Sequence, residues 1–324
     1  MSGTRGFFPL LAMVAAGLAL AWAVVGNPYY LNVMNVVGLN ALVAVGLGMV
    51  VGLGRNISLG HGGFFGMGAY ISGVLTACYG FSPWPTVLLA AAVVGIVALG
   101  VGLPALRLKG NYLVMATLGF NIIVTVAILQ LDELTGGPSG LSGIPPLMLG
   151  PWSLADDACA FVVVWVAVLG GLVMARNVAC SRVGRALVAA GESEVAAASC
   201  GIAVHRYKVG VFVLSALYAS VAGSLYAHYY GIITPRSFDI FKSVELVTMC
   251  IVGGMGSVWG ALVGAGLLAP LPMVLEVFQD YQEIFYGLSV LVVLVFAPEG
   301  VVGWIQTLAR VCSRPRGLGC ASGA

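Results

Sequence analysis

The chain has 324 residues, of which 60% are hydrophobic and only 8% charged, and its formal net charge is +2. Soluble domains carry about a quarter charged residues, so this composition excludes a soluble globular protein. The basic residues are also too scattered to form the stripe that nucleic-acid phosphates need.

A hydrocarbon core about 30 Å thick takes roughly 20 apolar residues per helical crossing, because every backbone polar group must be paired within its own helix. That ruler predicts an all-α polytopic transmembrane bundle of about ten segments (eight to ten) in a single membrane domain over residues 1–324. The candidate crossings lie near residues 7–25, 35–53, 60–79, 85–104, 111–130, 158–175, 209–230, 240–254, 258–275 and 284–305. The first follows Arg5 and ends near Ala21, Trp22 and Ala23; it reads as a retained helix, although a cleavable signal peptide has a similar pattern. The third and eighth are the weakest, being rich in glycine or short.

In the third, Gly60, Gly63, Gly66 and Gly68 recur at helical contact spacing, and Gly253, Gly256, Gly260 and Gly264 do the same after the eighth, with Gly254 beside them. Two readings stand: close helix packing through small residues, or broken helices whose exposed amide ends line a solute path. Ser58, His61, Thr117 and Asn121 are polar groups in or beside spans. They are candidates for that path, or alternatively helix-to-helix hydrogen bonds.

The outer loop at 131–157 is dense in glycine and proline and has no basic residue; it reads as a docking surface or as a packed cap. The connection at 176–208 holds GRALVAAGESEVAAASCGI. Ser193 is placed to cap a short helix there, Glu194 complements its dipole, and Gly201 is suited to end it in the left-handed conformation. Glu194, Ala197 and Gly201 then share one face. Such a face suits a partner's groove; an ordinary surface loop is the plainer reading.

With the amino terminus inside, twelve of the fourteen basic residues fall on inner connections, leaving only Arg236 and Lys242 outside. The positive-inside rule therefore places both termini in the cytoplasm. Asp132, Glu133, Asp156, Asp157, Asp239, Glu276, Asp280 and Glu283 land on the outer face, and Glu245 is the one acid clearly within a predicted span. The seven cysteines lack CxxC or metal-ligand spacing and read as small buried hydrophobes.

Chemistry is sparse. His61, His205 and His228 lie far apart, and no carboxylates accompany them at depth, so no catalytic set and no metal site is expected. An ion-driven carrier usually keeps ionisable groups within its spans, and this chain has almost none. A non-transporting scaffold and a membrane enzyme are the remaining rivals.

Six ordered stretches carry a resemblance: SLGHGGFFGMGAY (58–70), RLKGNYLVMATLGF (107–120), LTGGPSGLSGIP (134–145), the segment from Gly184 to Ala227, VGGMGSVWGALVGA (252–265) and FAPEGVVG (296–303). Over about residues 28–305 the sequence resembles the bacterial branched-chain amino-acid ABC transporter permeases, and within them the LivM-type subunit. The resemblance implies a bacterial inner-membrane importer subunit. Its implied partners are two cytoplasmic ATP-binding subunits, a second LivH-type permease, a periplasmic solute-binding protein and the lipid bilayer.

ATP and magnesium would sit on the partner ATPases, with no cofactor on this chain. The 176–208 loop would be the coupling helix, with Arg185, Glu192, Glu194, Ala197 and Gly201 matching the family pattern, and Glu194→Lys is expected to uncouple transport in a folded protein. Gly191 stands where similar proteins often carry a basic residue, so no particular ion pair to an ATPase is implied. Leucine, isoleucine and valine are the implied solutes, with urea, short amides or another small polar solute as the alternative.

Overall fold

Long apolar runs form helices, and their ends are set by local chemistry. In the computed structural model, which describes residues 28–108, 110–149, 152–254 and 258–274 together with Gly17, Gly287, Leu288 and Leu291, five helices are long and apolar enough to cross a membrane. They are α1 (Pro28–Gly54), α3 (Pro83–Ala105), α4 (Asn111–Gln130), α6 (Asp157–Cys180) and α9 (Val204–Tyr230). Between them lie α2 (His61–Ala77), the short α5 (Asp132–Thr135), α7 (Arg182–Glu192) and α8 (Glu194–Ser199), and after α9 come α10 (Ile240–Gly253), α11 (Val258–Leu268) and α12 (Leu271–Val274). Apart from those four single residues, the predicted crossings at 7–25 and 284–305 lie outside the described residues, as do Arg5, Lys109, Gly256, Glu276, Asp280, Glu283, the stretch 296–303 and everything beyond it.

Proline at the start of α3 has its φ already near the helical value and lacks only an N–H that would be unpaired there. Gly231 ends α9 with φ 67°, a left-handed cap open to glycine. Asp239 opens α10 by accepting from the Ile240 N–H at 2.6 Å.

Most of α1 and α9 is buried, and they form the centre with α2. Helices α3, α4 and α6 are peripheral and turn apolar side chains outward, among them Leu88, Ile96, Met115, Ile123, Val162 and Val166. So much exposed apolar surface belongs in lipid rather than water. Glycine brings the inner helices into backbone contact. A Cβ at Gly68 would overlap the Ser220 backbone, and one at Gly223 would overlap the Phe65 carbonyl. Helices α10 and α11 fold against each other in the same way, Gly253 on Gly260 and Gly264 on Met249.

Two predicted crossings come out short. At 1.5 Å per residue, the 17 and 14 residues of α2 and α10 reach only about 25 and 21 Å, less than the hydrocarbon core.

The segment 131–157 packs over one end of the bundle. Its strand β1 (Leu141–Ser142) pairs antiparallel with β4 (Ile232–Ile233), and β2 (Met148–Leu149) pairs with β3 (Trp152–Ser153). Ile144, Leu147 and Leu154 are buried beneath it, and the Trp84 indole donates to the Met148 carbonyl at 2.8 Å. Cysteine burial differs from expectation: Cys250 is buried, but Cys78, Cys180 and Cys200 are exposed. All three sit where a helix ends, clear of the packed helix interfaces.

Candidate functional site

The sequence Ser58-Leu59-Gly60-His61-Gly62-Gly63 ends an irregular connection and starts α2. The first N–H groups of a helix have no partner within it, and around this helix start side chains supply those partners, two from other helices and one from Ser58 just upstream. The Leu59 N–H donates to Thr117 Oγ1 at 3.0 Å, the Gly60 N–H to Ser58 Oγ at 3.4 Å, and the Gly62 N–H to Ser243 Oγ at 2.9 Å. Asn121 Nδ2 also donates to Ser243 Oγ, at 3.0 Å, and His61 Nε2 lies 2.6 Å from Ser215 Oγ.

Absent side chains make this convergence possible. A Cβ at Gly62 would sit 2.6 Å from Ser243 Oγ, one at Gly63 3.1 Å from Asn121 Oδ1, and one at Gly60 3.2 Å from the Thr117 carbonyl; Gly66 lies as closely on Phe238.

All four sequence-predicted pathway residues, Ser58, His61, Thr117 and Asn121, thus meet at one place, and each is at most 1% exposed. Sequence reasoning missed Ser215 and Ser243, also fully buried; the available signal was a lone hydroxyl within an apolar run. Among the described residues, His61 Nδ1 and Asn121 Oδ1 have no hydrogen-bond partner.

The depth of the cluster follows from helix positions. Asn121 is the eleventh of the 20 residues of α4, and Ser215 the twelfth of the 27 of α9. The cluster therefore lies about halfway along both. Replacing Ser243 with alanine is expected to leave the Gly62 N–H and Asn121 Nδ2 without their acceptor. Each orphaned buried donor costs about 1–3 kcal/mol, so thermal unfolding in detergent should show a clearly lowered midpoint, with Ser243→Thr retaining more of it.

At the end of the bundle that carries the basic connections, α7 and α8 form a bracket. Ser181 Oγ caps α7 by accepting from the Val183 and Gly184 N–H groups at 3.1 and 3.3 Å. Ser193 Oγ caps α8 by accepting from Ala196 N–H at 3.3 Å, and Gly201, with φ 79°, turns the chain away afterwards. Arg185 donates to the Cys180 carbonyl at 3.0 Å.

Glu194 pairs with Lys208, itself 8% exposed, and Ala197 is buried. Those two side chains therefore face the bundle, while Gly201 is exposed and the outward surface of α8 comprises Val195, Ala198 and Ser199. Glu192 pairs with Arg55 on the surface. Lys208 also donates to Asn56 Oδ1 at 3.4 Å. The irregular residues 56–60 thus run from this bracket to the buried cluster at the start of α2. Arg55, at the head of that run, has φ 49°, a left-handed conformation uncommon for a residue with a side chain.

The family model for the branched-chain amino acid transport system permease component matches residues 29–296. The chain is 29% identical to the high-affinity branched-chain amino acid transport system permease protein LivM of Salmonella typhimurium, covering 90% of this chain and 74% of that protein. It is 29% identical to the corresponding BraD protein of Pseudomonas aeruginosa, over 84% of this chain and 94% of the relative. It is also 26% identical to LivH of Escherichia coli, over 81% and 91% respectively. No solved structure matches the chain.

Proposed function

The chain belongs to the branched-chain amino acid transport permease family, and on that premise we propose that it is the LivM-type membrane subunit of an ATP-driven importer of leucine, isoleucine and valine. Its basic end faces the cytoplasm by the positive-inside rule, in a bacterial inner membrane. A periplasmic binding protein delivers the amino acid to the other face, a LivH-type permease completes the pathway, and two cytoplasmic subunits hold ATP and magnesium. This subunit performs no covalent chemistry; it binds, orients and releases.

One observation carries the reading. The bracket of α7 and α8 holds, through Lys208 and Asn56, the short connection that leads into a helix end buried halfway along α4 and α9. A shift of the bracket must therefore pull on residues 56–60, and with them on the hydroxyls that satisfy the start of α2. Nucleotide favours one conformation only through contacts that differ between the two states, and the exposed ridge of α8 offers such contacts to an ATPase.

The test is uptake into proteoliposomes holding the complete complex. Radiolabelled leucine is expected to accumulate only with ATP on the cytoplasmic side and binding protein on the other. Accumulation driven by a proton or sodium gradient without ATP would replace this reading with an ion-driven carrier.

A further inference from the structure

A cavity of about 800 Å³ lies between α1, α9 and α10, within the size range of small-molecule sites. Its walls include Val36 and Leu39 of α1 and Phe65 of α2, and three charged residues line it: Arg236, Lys242 and Glu245. Lys242 Nζ donates to Glu245 Oε2 at 2.9 Å, and both side chains are only 19% exposed. These are the two basic residues that the charge pattern leaves on the outer side, and the one acid clearly inside a predicted span. Arg236 is exposed, whereas Lys242 and Glu245 are mostly buried, and ionisable groups buried within a membrane protein are costly and usually functional.

We propose that this cavity is the receiving chamber for an α-amino-acid zwitterion, with the carboxylate held by Arg236 and the ammonium by Glu245. The inference rests on the permease reading and assigns the solute chemistry within it. Arg236, Lys242 and Glu245 together carry a net charge of +1, which draws in a carboxylate. Breaking the Lys242–Glu245 pair alone would strand a charge in a poorly hydrated site. A zwitterion avoids that: its ammonium replaces Lys242 on Glu245 while its carboxylate engages Arg236 and the released lysine, whereas an ammonium or a carboxylate alone makes one of these contacts and gives a weaker signal than leucine.

Val36, Phe241 and Val244, which also line the cavity, then offer an apolar wall to a branched alkyl side chain. Neutral urea or an amide would leave the Lys242–Glu245 pair closed and the net charge of +1 unanswered. The chamber also adjoins the buried cluster, since Lys242 lines the cavity while the next residue, Ser243, accepts from the Gly62 N–H.

The experiment is saturation-transfer NMR on the complete complex in nanodiscs, without binding protein and with empty nanodiscs subtracted. Three probes are used: L-leucine, isovalerate (carboxylate only) and isoamylamine (ammonium only). Glu245→Gln is expected to lower the leucine and isoamylamine signals at least fivefold and to spare isovalerate. Arg236→Gln is expected to lower leucine and isovalerate and to spare isoamylamine. Gel filtration confirms that each variant complex is intact.

Equal loss of all three probes from an intact complex, or retention of leucine by both variants, would overturn the chamber. ATP-driven leucine uptake by the wild type, measured in parallel, separates the two claims. Uptake without the crossed pattern overturns the chamber alone, whereas no uptake and no leucine signal overturns the permease reading with it.

Discussion

Gly223→Leu is expected to remove nearly all folded protein from the detergent-solubilised membrane fraction. Gly223 lies where a Cβ would overlap the Phe65 carbonyl and approach the Ala69 nitrogen to 2.9 Å, so the obstacle is backbone and cannot rotate away. Overpacking a core typically costs about 1–3 kcal/mol when side chains yield, and here α2 and α9 must separate instead. Separation would also break the bond from Ser224 Oγ to the Gly68 carbonyl, 3.0 Å long. Gly210→Ala is the control: it lies on the same helix with nothing within 4 Å of its Cβ position. Alanine there should be neutral or slightly stabilising, since glycine in a helix interior costs up to about 1 kcal/mol relative to alanine. Size-exclusion profiles and thermal midpoints of the two variants decide the matter; a well-folded Gly223→Leu protein would refute the backbone contact.

The second large effect is expected from Val195→Lys. Val195 is 75% exposed on the outward face of α8, so a lysine there meets water in the isolated permease and disturbs no internal contact. In the proposed complex it would place a hydrated charge between α8 and the ATP-binding subunit. Leucine uptake is expected to fall at least tenfold while the yield and thermal midpoint of the permease remain at wild-type values. Glu194→Lys is a less clean test than the sequence suggests, because Glu194 faces the nearly buried Lys208 and the substitution would oppose two ammonium groups inside the bracket. Wild-type uptake by Val195→Lys would remove α8 from the coupling path.

Much of this architecture is legible in the sequence because lipid imposes a length and polarity rule on every crossing. The predicted span 111–130 coincides with α4, and 85–104 differs from α3 by a few residues at the start. Ser193 and Gly201 were readable as the boundaries of α8 because capping is a local property of the chain. The inward rotation of Glu194 and Ala197 was not, because it depends on Lys208, fourteen residues away and on another helix. The shortness of α2 was hidden for a related reason. Glycine-rich apolar sequence fits either a full crossing or a half-span, and the choice is made by Thr117 and Ser243 supplying acceptors to Leu59 and Gly62. Those partners are 58 and 181 residues distant. Ser58, His61, Thr117 and Asn121 were recognisable singly as polar groups among apolar ones, but their convergence is a property of the packed bundle.

The most direct measurement is co-purification. The chain is expressed together with its neighbouring genes, extracted in mild detergent and passed over an affinity tag on this chain. ATP-binding subunits are expected to elute with the wild type in stoichiometric amount and to be lost from the Val195→Lys variant. A folded, monodisperse wild-type permease that carries no ATP-binding subunit would contradict the account.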